Sequence, residues 1–130
     1  MRPIVEKRAA AVRWLQYHGA LFGSRKAQEV QSAQVMLMPG LVGLAVLDSF
    51  AGRCPLITRD VEYHSPEIEY LRHDSNGLVL PRDGSATGYG SSVATLLEDT
   101  ARLKRLVDGC ATAAKSYSVK NMASRFAGGI

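Results

Sequence analysis

The feature that most constrains the fold is a short apolar run that stops at a Pro-Gly pair. The run "QVMLM" (Gln34–Met38) is followed by Pro39 and Gly40. A continuous apolar run of this length, bounded by turn residues, is typical of a parallel strand that is buried on both faces. The next segment, "GLAVLDSFAGR" (Gly43–Arg53), has the length and composition of a short, mostly apolar helix. The order of strand, glycine-containing turn and helix therefore predicts a βα unit.

The segments on either side of this unit alternate in the same way. Strands are predicted for three more segments, Val12–Gly19, Pro55–Thr58 and Asn76–Pro81. Helical segments are predicted at Ser24–Ala33, with Ser24 as the N-cap, and at Pro66–Leu71, with Pro66 at the first helical position. Strands that alternate with helices predict an α/β domain with a parallel sheet.

The C-terminal third of the chain has helical spacing and contains no candidate strand. Apolar residues fall on one helix face in each of two groups: Val93, Leu96 and Leu97, and then Leu103, Leu106 and Val107. A third helix is predicted at Tyr117–Phe126, with Ser118 as its N-cap. The α/β sheet is therefore expected to end in a helical C-terminal segment.

Composition indicates one globular domain, residues 1–130. The chain is 46% hydrophobic and 22% charged, which is an ordinary globular balance that argues against disorder. The net charge is +4, and the basic residues are scattered, with no run of five or more. Such scattered charge indicates solvated helix faces, and we predict no nucleic-acid partner.

The sequence also indicates the compartment. Only two cysteines occur, Cys54 and Cys110, and they are predicted to be reduced core residues of a cytoplasmic protein. The longest apolar stretch, Val35–Leu47, is interrupted by Pro39 and Gly40 and is too short to span a membrane. The N-terminus has no apolar secretory core, so no signal peptide is predicted.

The turn after Met38 is the first candidate site. Ligands of open parallel sheets bind beyond the carboxyl ends of the strands, where a following helix offers free N–H groups to a phosphate. Gly40 and Gly43 permit close backbone approach at this point. Asp48 is the only charged residue from position 40 to 52, and a ribose diol would satisfy its carboxylate. A pairing with Arg53 or Arg59, or an exposed position, would satisfy it equally well.

The segment "YHSPEIEYL" places a second polar cluster after the next strand. His64, Ser65 and Glu67 can line the same cleft as the turn. His64 can instead cap a turn, and Glu67 can simply favour a helix N-terminus. No His, Cys, Asp or Glu spacing predicts a metal site, and "GYGSS" (Gly88–Ser92) lacks the spacing of a nucleophile elbow.

The order of these parts resembles the C-terminal, nucleotide-sugar-binding half of the two-domain retaining glycosyltransferases of the glycogen-synthase-like and mannosyltransferase-like superfamily. Five landmarks occur in the order that this superfamily shows: "AQVMLMPG", "VGLAVLDSFAGRCPLIT", "HSPEIEYL", "NGLVLP" and "YSVKNMASRF". The resemblance runs from about Val12 to the C-terminus. It implies a Rossmann-like parallel sheet with flanking helices and a helical C-terminal segment.

The resemblance also implies roles for individual residues. When "VGL" (Val42–Leu44) is aligned with the family's "FGL", Gly40 stands at the first of two glutamates and Asp48 stands at the second. The second carboxylate binds the ribose hydroxyls, so Asp48 takes that role by resemblance. The backbone at Val42, Gly43 and Leu44 would face the diphosphate. His64 and Glu67 would supply further polar contacts; no catalytic residue is assigned and no metal is implied.

The function that the resemblance implies is transfer of a sugar from a nucleoside-diphosphate sugar to a hydroxyl acceptor, with retention of configuration. The nucleotide sugar is the donor substrate, and no cofactor is implied. The family's first domain, which holds the acceptor, is not part of these 130 residues. Arg13, Arg25 and Lys26 are not expected to replace the basic pair that neutralises the leaving diphosphate in the family. Alone, the chain is therefore expected to transfer sugar weakly or not at all.

A non-enzymatic alternative stays open from the sequence. The same Rossmann-like fold can serve as an interaction module that pairs with a separate N-terminal-domain chain or with itself as a homo-oligomer. Apolar surface left uncovered by an absent domain favours such association.

Overall fold

The computed structural model describes residues 2–117. Its elements in chain order are α1 (Arg2–Ala11), α2 (Gly23–Ser32), β1 (Met36–Leu37), α3 (Ala45–Ala51), β2 (Leu56–Arg59), a 3₁₀-helix (Pro66–Tyr70), β3 (Gly77–Leu80), α4 (Ala86–Glu98) and α5 (Thr100–Ser116). Most of the predicted order is confirmed, including the 3₁₀-helix that begins at Pro66 and the strand that follows Asn76.

The three strands form one parallel sheet in the order β1-β2-β3. Leu56 of the central strand pairs with Met36 on one side and with Gly77 on the other. Each connection between successive strands contains a helix or a helical turn, as parallel pairing requires. The α/β parallel sheet and the helical C-terminal part that the sequence predicts are thus confirmed.

The core lies on both faces of β2. Leu56 faces a cluster that includes Val46 and Phe50 of α3 and Cys110 of α5. Ile57, the next residue, faces the opposite cluster, which contains residues of β3, α4 and α5: Leu78, Val93, Leu96 and Leu106. Since successive strand residues point to opposite faces, full burial of both Leu56 and Ile57 identifies β2 as the strand covered on both sides.

β1 differs from its prediction. It was expected to be buried on both faces, but Met36 is only partly buried and Leu37 is 50% exposed. β1 is an edge strand of two residues with a single neighbour, so one side of it has no covering element in the described part of the chain. An apolar run of this kind indicates a strand but does not say how many neighbours cover it.

Two further predictions near the N-terminus are wrong. Val12–Gly19 forms no strand, and Trp14 within it is 78% exposed. Ser24 is not an N-cap, because α2 begins one residue earlier at Gly23 with Phe22 in the cap position. Gly23 has φ +61°, a conformation that favours glycine and allows the sharp entry into this helix.

The C-terminal helices follow the predicted faces in part. Val93 and Leu96 of α4 and Leu106 of α5 are buried, whereas Leu97 is 38% exposed. The predicted helix Tyr117–Phe126 and its N-cap Ser118 lie outside the described residues, apart from Tyr117, whose ring stacks on Tyr70 with 4.4 Å between centroids.

Cys54 and Cys110 are free and buried, as predicted for reduced core residues. Burial raises the pKa of the Cys54 thiol, and it raises the pKa of Cys110 to about 12. Because the thiolate is the reactive form, we expect neither cysteine to react with iodoacetamide at pH 8 while the chain is folded. Both should react fully in 6 M guanidinium, and mass spectrometry would count the labels. A rapid single label on the folded chain would contradict the buried position of that cysteine.

Two further findings concern the described residues. None of the helices in the stretch 2–117 has both the length and the apolar character needed to cross a bilayer. Over the same residues, no three His, Cys, Asp or Glu side chains come close enough to hold a metal ion.

Candidate functional site

The turn between β1 and α3 is held at the carboxyl end of the sheet by His64. The backbone N–H of Val42 donates to His64 Nδ1 at 2.9 Å, and His64 Nε2 lies 2.6 Å from the carbonyl oxygen of Arg59. Because that carbonyl can only accept, Nε2 carries the proton and Nδ1 is the acceptor. The N–H of Ser65 completes the contact by donating to the carbonyl of Val42 at 3.0 Å. A neutral imidazole thus bridges the turn to the end of β2.

This bridge changes the expected roles of two site residues. Both ring nitrogens of His64 are occupied by backbone groups, so His64 positions the turn in this structure. The N–H of Val42 is occupied as well, which leaves Gly43 and Leu44 as the residues of "VGL" that can offer backbone donors. Neither of their N–H groups is hydrogen-bonded within residues 2–117, and no side chain there caps α3. The positive end of the α3 dipole therefore faces outward at Gly43 and Leu44.

The two glycines of the turn occupy different surroundings. A Cβ at Gly43 would lie 3.5 Å from Ser65 Oγ, an ordinary contact, whereas a Cβ at Gly40 would meet nothing within 4 Å. Gly40 instead contributes its carbonyl oxygen, to which Thr58 Oγ1 donates at 3.4 Å. Packing does not exclude a longer side chain at position 40.

Asp48 lies in the first turn of α3, since that helix begins at Ala45 and not at Gly43 as predicted. Its Oδ2 is 2.9 Å from Nζ of Lys26 on α2, and the two side chains are 41% and 47% exposed. The expected alternative partners are not used. Arg59 donates through Nη2 to the carbonyl of Ser85 and lies 5.4 Å over the ring of Tyr89, on the other side of β2. An ion pair as exposed as Lys26–Asp48 contributes at most about 1 kcal/mol to stability.

Lys26 and Asp48 stand on opposite walls of a cleft between α2 and α3. The cleft has a volume of about 300 Å³ and is lined by Gly23, Lys26, Ala27, Val30, Gln31, Asp48, Ala51 and Gly52. At one end the helices touch, since a Cβ on Gly52 would overlap Val30 Cγ1. None of the lining residues belongs to the 40–44 turn. The structure therefore brings Val42 into contact with His64 and Gly43 close to Ser65 at the turn before α3. It brings Asp48 into contact with Lys26 in the separate cleft between α2 and α3.

Glu67 is the second residue of the 3₁₀-helix and is partly buried. Its helix packs against α3 through Ile68 and Tyr70, which border the core cluster around Val46 and Phe50. Glu67 thus lies on the element that begins two residues after His64, on the side of the sheet that carries α3. Its predicted contact with a ligand stays a prediction.

The pairing of Lys26 with Asp48 is what the sequence reasoning missed, since it considered Lys26 only as a replacement for the family's basic pair. Helical spacing places Lys26 and Val30 one turn apart on the same face of α2. The apolar Val30 marks the face that packs on the protein, so the signal for Lys26 was present. Its partner, Asp48, is 22 positions away, and only the packing of α2 on α3 brings the two together.

The parallel sheet, its flanking helices and the polar turn at the carboxyl end together form a glycosyltransferase-like, Rossmann-like α/β fold. A solved structure with this arrangement is that of the pneumococcal O-GlcNAc transferase GtfA in complex with UDP and GlcNAc. The TM-score is 0.74 and the sequence identity is 19%, with 98% of this chain and 26% of that chain covered. The chain thus spans about a quarter of the length of GtfA, and the likeness shows the fold.

The sequence comparisons give no closer assignment. No protein-family model matches the chain, and no curated protein matches it.

Proposed function

We propose that the chain is the nucleotide-sugar-binding domain of a glycosyltransferase that moves a sugar from a nucleoside diphosphate to a hydroxyl acceptor, with retention of configuration. The observation that carries the proposal is the turn at residues 40–44, called the braced turn here because His64 holds it to the end of β2. His64 fixes Val42 at the carboxyl end of the sheet, and the N–H groups of Gly43 and Leu44 stay unbonded in the described part of the chain. Donors held in this way suit a diphosphate.

Each site residue then has a distinct task. Gly43 and Leu44 donate backbone N–H groups to the diphosphate, and Asp48 accepts from the ribose hydroxyls. His64 acts as a positioning residue, and Glu67 adds a polar contact from the 3₁₀-helix. Gly40 leaves open the space in which the resembling enzymes place a glutamate beside the donor sugar. No residue of this chain is assigned to proton transfer.

The proposal assigns the acceptor site to a separate domain or chain. Leu37, Leu41 and Leu44 are 50%, 52% and 66% exposed around β1 and the turn. Apolar surface next to the donor site is what a second domain would cover in an enzyme that works in an interdomain cleft. The chain alone then binds the donor and transfers sugar slowly or not at all. A strict monomer that gains no activity from any added acceptor domain would weaken this part of the proposal.

The donor site is tested by thermal unfolding with UDP, GDP and ADP and with their sugar conjugates. One of these should raise Tm by several degrees at 100 times its Kd, where binding stabilises the folded state by about 2.7 kcal/mol. Asp48→Ala should remove the shift with little change in Tm without ligand, because Asp48 is partly exposed and its ion pair is weak. Asp108→Ala, at an exposed carboxylate on α5, is the matched control. An unchanged Tm of the wild-type chain at millimolar ligand would contradict the proposal.

A further inference from the structure

Arg59 is a partly buried cation at the carboxyl end of β2, and its side chain contacts Tyr89 of α4. Within residues 2–117 it forms no ion pair, whereas the arginines at positions 82, 102 and 105 each pair with a carboxylate. A charge withdrawn from water without a counter-ion is costly. The position of Arg59 therefore favours the binding of an anion.

Most N–H groups of this guanidinium group have no acceptor. Arginine has five N–H donors, and in the described part of the chain Arg59 forms a single hydrogen bond, from Nη2 to the carbonyl of Ser85 at 2.9 Å. Nε is buried and has no acceptor there. The guanidinium carbon lies 5.4 Å from the centre of the Tyr89 ring, which offsets part of the charge but accepts no hydrogen bond in the guanidinium plane. The group is thus held in position and is still able to donate to a ligand.

Arg59 lines a cavity of about 210 Å³ between the end of β3 and α4, called the Arg59 cavity here. The other lining residues are uncharged and include Gly84, Gly88 and Ser92. The Ser92 hydroxyl forms no hydrogen bond within residues 2–117, so it is a second donor on the wall. The volume is below that of most small-molecule sites and suits a small ion or the end group of a larger molecule.

The start of α4 adds to the positive character of the cavity. This helix has 13 residues and begins at Ala86, and Gly88 of its first turn lies on the cavity wall. Ser85 Oγ accepts the N–H of Gly88, whereas the N–H groups of Ala86 and Thr87 have no partner among the described residues. The positive end of the helix dipole therefore adds to the charge of the guanidinium group.

We propose that the Arg59 cavity is a second ligand site, which binds a phosphate group and is separate from the donor site. Its donors come from different elements, the guanidinium group from β2 and the hydroxyl of Ser92 from α4. A tetrahedral phosphate accepts hydrogen bonds from several directions, whereas a planar carboxylate accepts them in one plane. Binding forms hydrogen bonds and an ion pair, and no covalent bond forms or breaks.

The Arg59 cavity shares no lining residue with the braced turn or with the α2–α3 cleft. It lies against α4, on the face of β2 to which Ile57 contributes, and α3 packs on the other face with Leu56. The inference therefore goes beyond the proposed function and does not depend on it.

The test is thermal unfolding of the full chain in inorganic phosphate, compared with chloride and acetate at the same ionic strength. Phosphate should raise the Tm of the wild-type chain by about 5 °C at about ten times its Kd, and acetate should raise it less. Arg59→Met should abolish the shift. Arg59→Lys should keep part of it, since lysine retains the charge but not the planar fork. Arg8→Met, at an exposed arginine of α1, should behave as wild type.

A second variant does not depend on the packing of Arg59. Ser92→Ala should weaken phosphate binding about fivefold in a calorimetric titration, because it removes one donor to a charged ligand. Its Tm in chloride should stay unchanged, since the hydroxyl has no partner to lose within residues 2–117. Titration with glycerol 3-phosphate then identifies the source of the phosphate group. Tighter binding than inorganic phosphate would indicate a small phosphomonoester, and equal or weaker binding would indicate the free ion.

Three results would overturn the inference. An equal Tm in phosphate and chloride would refute the site. A shift of wild-type size in Arg59→Met would mean that phosphate binds elsewhere, for example at the braced turn. An acetate shift as large as that of phosphate would contradict the choice of ligand. Should Arg59→Met fail to fold, unchanged phosphate affinity in both Arg59→Lys and Ser92→Ala would refute the inference. Ser92→Ala should keep the nucleotide-induced shift, so failure of this site is distinguishable from failure of the donor site.

Discussion

Gly109→Ala is expected to destabilise the chain by about 3 kcal/mol, the upper end of the cost of overpacking. Gly109 lies on α5 against the loop that precedes β3. A Cβ there would overlap the carbonyl oxygen of Ser75 and lie 2.8 Å from the carbonyl carbon of the same residue and 3.1 Å from Asn76 Cα. These are backbone atoms, which cannot rotate away as the end of a long side chain can.

The loop opposite Gly109 has little freedom to yield. The Asn76 side chain accepts from the N–H of Arg72 at 2.7 Å and donates to the carbonyl of Tyr70 at 3.1 Å. Cys110 Sγ donates to the Asn76 carbonyl at 3.3 Å, which ties the loop to α5 itself. The added methyl group therefore has to displace α5, the helix that packs on both α3 and α4.

Urea unfolding followed by circular dichroism measures this effect. Gly90→Ala is the matched control, because Gly90 lies inside α4 and a Cβ there meets nothing within 4 Å. The control should gain about 0.5–1 kcal/mol of stability, since alanine is the better helix former. A loss of less than 1 kcal/mol in Gly109→Ala would show that α5 and the loop are not packed as closely as the structure has them.

Local signals in the sequence predicted much of the fold. The turn at Pro39-Gly40, the proline at the start of the 3₁₀-helix and the Asn-Gly pair at the start of β3 each act through the dihedral angles of one or two residues. Such effects are visible without knowledge of the rest of the chain. The order of elements and the parallel sheet followed from them.

Burial and pairing were less predictable because they depend on distant residues. The run at β1 and the run at β2 are both apolar, but only β2 has a strand on each side. Val12–Gly19 was predicted as a strand from its local residues alone, and it joins no sheet. Gly109 carries no signal at all in the sequence, since the loop that requires it lies more than 30 positions earlier.

For the candidate site too, the partners of the residues could not be predicted from the sequence. The sequence placed His64 and Asp48 near a ligand through a resemblance, and it could give the residue types but not their partners. That His64 uses both ring nitrogens on Val42 and Arg59, and that Asp48 pairs with Lys26, depends on side-chain geometry. The roles of positioning residue and charge partner therefore come from the structure.

His64→Ala is the second prediction with a large expected effect. Without the imidazole, the Val42 N–H loses its acceptor and the Arg59 carbonyl loses its donor, both in partly buried surroundings. Leaving a buried polar group without a partner costs about 1–3 kcal/mol, so we expect a loss of about 3 kcal/mol for the two groups. The turn also loses the bridge from Val42 to the end of β2, and the nucleotide-induced rise in Tm should disappear.

His73→Ala is the matched control for His64→Ala, because it removes the same kind of hydrogen bond at an exposed position. His73 Nδ1 also accepts a backbone N–H, that of Val79 at 3.0 Å, but it does so on the exposed side of β3. Water can replace that acceptor, so the variant should lose less than about 1 kcal/mol and keep the full nucleotide shift. If His64→Ala folds with reduced stability and still shows the wild-type shift, the braced turn does not hold the diphosphate. The proposed function would then lose the observation that carries it, even though the fold would stand.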